Sequence, residues 1–143
     1  MNPSPHPEEQ LVRAGPADAR TAAALRDDLY AWLKQVVEVT PTLLSDILTS
    51  VYEALANCAD HAYRQRADDG AMTLRAVYDP AAQSISVSIA DRGTWRDPPP
   101  PDPNDIRGRG IALMRALADR CIIERRTSGT TVELVYGMAM TRV

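Results

Sequence analysis

Apolar residues recur at helical spacing after Asp18: Leu25, Leu29, Leu33 and Val36 or Val37 predict a helix that Asp18 caps and that ends near Val39. Thr40 followed by Pro41 is a cap and first-turn pair, and Leu44, Ile47, Leu48, Val51, Leu55, Cys58 and Ala62 form the apolar stripe of a second, long helix. Beyond residue 70 the period changes to two. Met72, Leu74, Ala76 and Tyr78 share one face of a strand, and after a turn over 79–83 the serines of 84–89 alternate with Ile85, Val87 and Ile89, the pattern of a strand with one buried face. Asp91 falls just past that strand's end. Residues 92–107 have no periodicity and carry the run Pro98 to Pro101, which predicts a loop or lid. A short helix over 111–118 and two strands over 121–124 and 131–136, with Ser128 and Gly129 in the hairpin between them, complete the chain. Residues 10–14 are expected to join a sheet edge, and residues 1–10, rich in proline and polar groups, to form a flexible N-terminal segment ahead of a single domain over 11–143.

Composition narrows the function classes. The formal charge is −3, with 16 basic against 19 acidic residues. That balance lacks the positive field of nonspecific nucleic-acid binding, so a protein or small-molecule partner is expected and direct nucleic-acid contact is not. Cys58 and Cys121 form no CxxC pair, and His6 and His61 are the only histidines, too few to complete a structural zinc site. The cysteines read as reduced core thiols. With no basic start ahead of an apolar run and no stretch near the ~18 apolar residues of a membrane span, the expectation is a cytoplasmic protein without a membrane segment.

Three polar signals could carry chemistry. Glu53, Asn57 and His61, spaced by four, share one face of the second helix, with Asp60 and Arg64 beside them. A plain amphipathic helix would simply solvate that face. Asp91 and Gly93 read either as an ordinary strand exit or as an acid that accepts a hydrogen bond from a purine amine, next to a glycine that lets the base approach. Arg107, Gly108, Arg109 and Gly110 read either as a flexible helix entrance or as backbone amides and positive charge set to meet phosphates. This is not a Walker A loop, because GxxxxGK[ST] is absent.

Taken together these signals form an ordered series: EALANCADHAY at 53–63, ADRG at 90–93, RGRGIALMRALAD at 107–119 and SGTT at 128–131. In that order and spacing the chain resembles the ATP-binding domain of the GHKL superfamily, specifically the bacterial anti-sigma-factor serine kinases of the RsbW type, over residues 11–136. The resemblance implies an α+β fold, a two-layer α/β sandwich of the Bergerat type with a mixed, mostly antiparallel sheet and helices on one face. It implies ATP and Mg2+ as cofactors and an ATP-dependent protein-serine kinase. Asn57 would ligate the metal, Glu53 would be the general base, and Asp91 would read adenine with Gly93 giving it room. Arg107, Gly108, Arg109 and Gly110 would hold the triphosphate, and Thr130 would support Asp91 through its hydroxyl. The implied partners are a STAS-type anti-anti-sigma protein, which is phosphorylated, a sigma factor, which is sequestered, and a second copy of the chain in a homodimer built around the N-terminal strand and helix. A nonenzymatic ATP-gated binding module is the alternative. Trp95 stands where many superfamily members place a second glycine, and the lid is short and stiffened by proline.

Overall fold

The structure, a computed structural model, describes residues 10–65, 70–92, 106–126 and 129–137, and of 61–65, 92 and 106–109 the backbone alone. The elements in chain order are β1 (Gln10–Pro16), α1 (Ala19–Val36), α2 (Pro41–Gln65), β2 (Ala71–Asp79), β3 (Ser84–Arg92), α3 (Ile106–Leu117), β4 (Arg120–Arg126) and β5 (Gly129–Gly137). Local chemistry sets several of their ends. Asp18 caps α1 by accepting a 2.7 Å hydrogen bond from the Thr21 N–H, which holds its carboxyl below the usual carboxylate range. Thr40 does the same for α2 through its hydroxyl, which accepts from the Leu43 N–H at 3.1 Å. The β2–β3 turn is an Asx turn in which the Asp79 carboxylate accepts from the N–H groups of Ala81 and Ala82.

The five strands form one sheet in the order β1-β2-β3-β5-β4, and all four pairings are antiparallel, so the described sheet has none of the parallel pairing that a mixed sheet allows. Directly paired residues share a face. Met72, Leu74 and Ala76 of β2, Ile85, Val87 and Ile89 of β3, and Leu134 and Tyr136 of β5 are buried beneath the helices. Leu25, Leu29 and Leu33 of α1 and Ile47, Val51 and Leu55 of α2 cover them. Each such side chain contributes roughly 1.5–3 kcal/mol by leaving water, which makes this helix-on-sheet layer the main source of stability. At its centre Ser50 and Tyr136 join α2 to β5 at 2.5 Å. Ser50 also bonds the Asp46 carbonyl with its single proton, so the phenol of Tyr136 is the donor to Ser50.

The structure revises several of these expectations. Helix α1 stops at Val36, ahead of the expected Val39, because Val37 is already extended. Leu43, Ala54 and Ala59 join the buried stripe of α2, while Leu44 and Leu48 only flank it. Asp91 lies within β3, opposite Met72, rather than past its end. Helix α3 begins at Ile106, so Gly108 and Gly110 sit inside its first two turns instead of ahead of it. The proline run and Trp95 lie outside the described residues. Among the described residues, no helix is long and apolar enough to cross a membrane.

Candidate functional site

The candidate site is assembled around α2, which packs against both the sheet and α3. Glu53 and Asn57 are one turn apart on the flank that faces α3. Neither is on a solvated face; both are half-buried. Their neighbour is Gly110, itself buried. A Cβ at that position would stand 2.9 Å from Glu53 Oε2, 3.3 Å from Asn57 Nδ2 and 3.6 Å from Asn57 Oδ1. A glycine inside a helix costs about 1 kcal/mol relative to alanine. Here the missing side chain lets a carboxylate and an amide lie against the backbone of α3. Gly110 is the fifth residue of that helix, so both groups come within a turn of the N–H donors that lack an intrahelical partner. Partial positive charge at that end favours anions.

Asp91 occupies the other flank of α2 and is only 5% exposed. Its Oδ1 accepts a 2.9 Å hydrogen bond from the Thr130 backbone N–H. The contact comes from the main chain of Thr130, where the sequence pointed to its hydroxyl. Gly129, with φ of +145°, lies against the same acid; a Cβ there would be 2.2 Å from the Asp91 carbonyl oxygen and 2.9 Å from Oδ1. From the helix side, burial first and then the charge of Asp91 push the Cys58 thiol above its usual range. Both cysteines are free, as expected; Cys58 is buried and Cys121 half-buried.

Asn57 of α2 thus stands toward α3, while its neighbour Cys58 is buried in the core. The structure brings Glu53, Asn57 and Gly110 together, and Asp91 with Thr130. Gly108 and Arg109 follow Arg107 in the first turn of α3 as backbone only, while their side chains, that of His61 and all of Gly93 lie outside the described residues. One residue was missed in the sequence: Gly129, although it stands in SGTT. A glycine after a hairpin has an ordinary explanation, and only its close approach to Asp91 distinguishes it.

The donor set suits a magnesium ion that shares its shell with phosphate oxygens. One neutral amide oxygen with a carboxylate beside it, set over a cradle that a Cβ would fill, is too small a set for an all-protein cage, and among the described residues no group of three His, Cys, Asp or Glu forms one.

Comparison with known proteins agrees with this geometry. The family model described as the histidine kinase-like ATPase domain matches residues 15–136. Among solved structures, the chain is similar to the RsbU and RsbW domains of a Mycobacterium tuberculosis protein, with a TM-score of 0.69 and 21% identity over 95% of this chain and 33% of that one. It is also similar to the histidine kinase domain of a blue-light activated histidine kinase from Erythrobacter litoralis, with a TM-score of 0.60 and 20% identity over 84% of this chain and 66% of that one. The chain thus spans a third of the first protein's length and just under two thirds of the second's, and at these identities the likeness is one of fold. An antiparallel sheet with its helices on one face, a carboxylate and an amide of α2 seated on a glycine of α3, and a buried acid near the end of β3 accompany a family match over most of the sequence: the chain belongs to the histidine kinase-like ATPase domain family.

Proposed function

We propose that the protein is an ATP-dependent protein-serine kinase and anti-sigma factor, which phosphorylates a STAS-type anti-anti-sigma protein and sequesters a sigma factor in the cytoplasm. The observation that carries the reading is the seat of Glu53 and Asn57 on Gly110, because a carboxylate and an amide there lie beside a helix N-terminus suited to phosphate. Asp91 accepts the exocyclic amine of adenine, with Gly93 alongside, and Thr130 holds Asp91. The backbone of Gly108 and Gly110 with Arg107 and Arg109 orients and neutralises the triphosphate. Asn57 holds Mg2+ through its side-chain oxygen. When bound, the ion offsets the negative charge of the phosphates. Glu53 accepts the proton of the partner's serine hydroxyl as its oxygen bonds to the γ-phosphorus; the bond from that phosphorus to the bridging oxygen breaks, and ADP leaves with that electron pair.

The test combines the purified protein with labelled ATP, magnesium and a STAS partner. Label on a serine of the partner is the expected result. Bound nucleotide without any transfer would favour the ATP-gated binding module instead. Gly110→Ala separates the site from the scaffold. The new methyl meets only the far ends of two flexible side chains, so thermal stability should hold or rise slightly, whereas displacing Glu53 and Asn57 should slow transfer by about 10²-fold. Wild-type transfer by a folded Gly110→Ala variant would refute this placement.

The homodimer is placed here on the sheet face turned away from the helices, so that of the N-terminal strand and helix only β1 takes part. Across β2, β3 and β5 its rows read Val77, Ser86, Val135; Arg75, Ser88, Glu133; and Thr73, Ala90, Thr131. Each row matches itself, or its opposite charge, when read from the other end, and each has a small residue at its centre. A two-fold axis along β3 would set Arg75 over Glu133 of the partner subunit and Val12 of β1 over Ile122 of the partner subunit. Val12 and Ile122 are exposed large apolar residues in line with that charged row. Aligned sheets pack about 10 Å apart, a distance that a central column of serine and alanine permits. Arg75→Glu is expected to yield a monomer by light scattering, and Arg75→Glu combined with Glu133→Arg to restore the dimer. A double variant that stays monomeric would contradict this pairing.

A further inference from the structure

Strand register brings one more cation into line with the buried acid. Asp91 pairs with Met72 on one side, its carboxylate accepts from the Thr130 N–H at 2.9 Å on the other, and Thr130 in turn pairs with Arg125 of β4. Paired residues share a face, and Met72 lies beneath the helices, so Asp91, Thr130 and Arg125 form one row on the helix-facing side of the sheet. Cys121 and Ile123 precede Arg125 on that side of β4 and pack against the core, whereas Arg125 itself is exposed. Two strand spacings, about 10 Å, separate it from Asp91, with only a short threonine between them. The ion pairs among the described residues, Arg13 with Asp28, Arg26 with Asp27 and Arg126 with Glu124, leave Arg125 out. A guanidinium so placed could draw phosphates as a charge or lie against a purine ring as a plane. The row favours the plane, because Arg125 shares it with the acid and not with the seat of Glu53 and Asn57 on Gly110.

We infer that Arg125 is a nucleotide-binding residue, which lays its guanidinium against the face of the purine whose amine Asp91 accepts. The inference rests on the proposed nucleotide reading of the site. A guanidinium is planar, weakly hydrated and attracted to the face of an aromatic ring, so it takes the face while Asp91 takes the edge. The two residues divide the work. The acid discriminates among bases, and the cation adds affinity without discriminating, since every base has a face.

The experiment measures the affinity of the full chain for ATP by calorimetry, at low and at high salt, in wild type, Arg125→Ala and Arg125→Lys. Because Arg125 is exposed, both variants should melt as the wild type does. Arg125→Ala should bind ATP roughly three- to tenfold more weakly, the range expected from losing one guanidinium–ring contact, and by the same factor at both salt concentrations. Arg125→Lys, which keeps the charge and loses the plane, should recover little of that loss. ITP, the 6-oxo analogue of ATP, should lose affinity by the same factor in Arg125→Ala, because a contact with the ring face does not read the exocyclic group. A loss that vanishes at high salt and is restored by lysine would assign Arg125 to attraction of the phosphates and overturn the inference. A loss confined to ATP would place its effect on Asp91 instead of the ring, and overturn it equally. Wild-type protein that bound no ATP would sink the nucleotide reading itself, whereas ATP binding undiminished in Arg125→Ala would sink only the placement of Arg125.

Discussion

Gly129→Ala is expected to destabilise the protein by roughly 3–5 kcal/mol, the sum of a strained backbone angle and overpacking against a neighbouring strand. At φ of +145° the residue occupies backbone space that L side chains rarely adopt. The space around it is also closed. The new Cβ would lie 2.2 Å from the carbonyl oxygen and 3.1 Å from the carbonyl carbon of Asp91, and these are main-chain atoms that cannot swing aside. Relief would require parting β3 from β5 at the end where Ala90 faces Thr131, which would carry the Thr130 N–H away from Asp91. A fall in melting temperature of more than about 10 °C should accompany the change. An alanine variant melting within a degree or two of wild type would mean that this strand end is looser than described. The contrast with Gly110 is instructive: both glycines border the site, but one faces backbone and the other the tips of two side chains.

Glu53→Gln is expected to slow phosphate transfer to the partner serine by about 10²–10⁴-fold, the usual contribution of a positioned general base. Glutamine keeps the shape that rests on Gly110, so the seat against α3 and the melting temperature should be preserved, and ATP should still bind. The substitution removes only the ability to accept a proton. Single-turnover transfer of label at saturating ATP and magnesium isolates that step from binding. Transfer at the wild-type rate would remove Glu53 from the role of base while leaving Asn57 and Asp91 as nucleotide contacts. Loss of ATP binding in the same variant would instead make Glu53 part of the binding seat.

Much of this architecture could be read from periodicity, because a helix and a half-buried strand differ in which positions they hide. The stripe through Ile47, Val51, Leu55 and Cys58 announced α2, and the alternation of Ser86 and Ser88 with Ile85, Val87 and Ile89 announced β3. Asp18 and Thr40 were legible as caps because a cap needs only a side chain and the next turn's N–H groups. The order of the segments EALANCADHAY, ADRG, RGRGIALMRALAD and SGTT likewise pointed to the family that the comparison identified.

Contacts between distant segments were a different matter. Pattern alone gave no means of choosing between a solvated and a buried role for Glu53 and Asn57, since a polar helix face looks the same in either case. The arrival of α3, with a glycine at the crossing point, decided it. The same holds for Thr130, whose main-chain N–H reaches Asp91, and for Gly129, whose importance exists only relative to that acid. Local order follows from interactions within a turn or a strand, which the residues carry with them. Which carboxylate presses on which glycine depends on strand register and helix crossing, and those are settled only when the whole core packs.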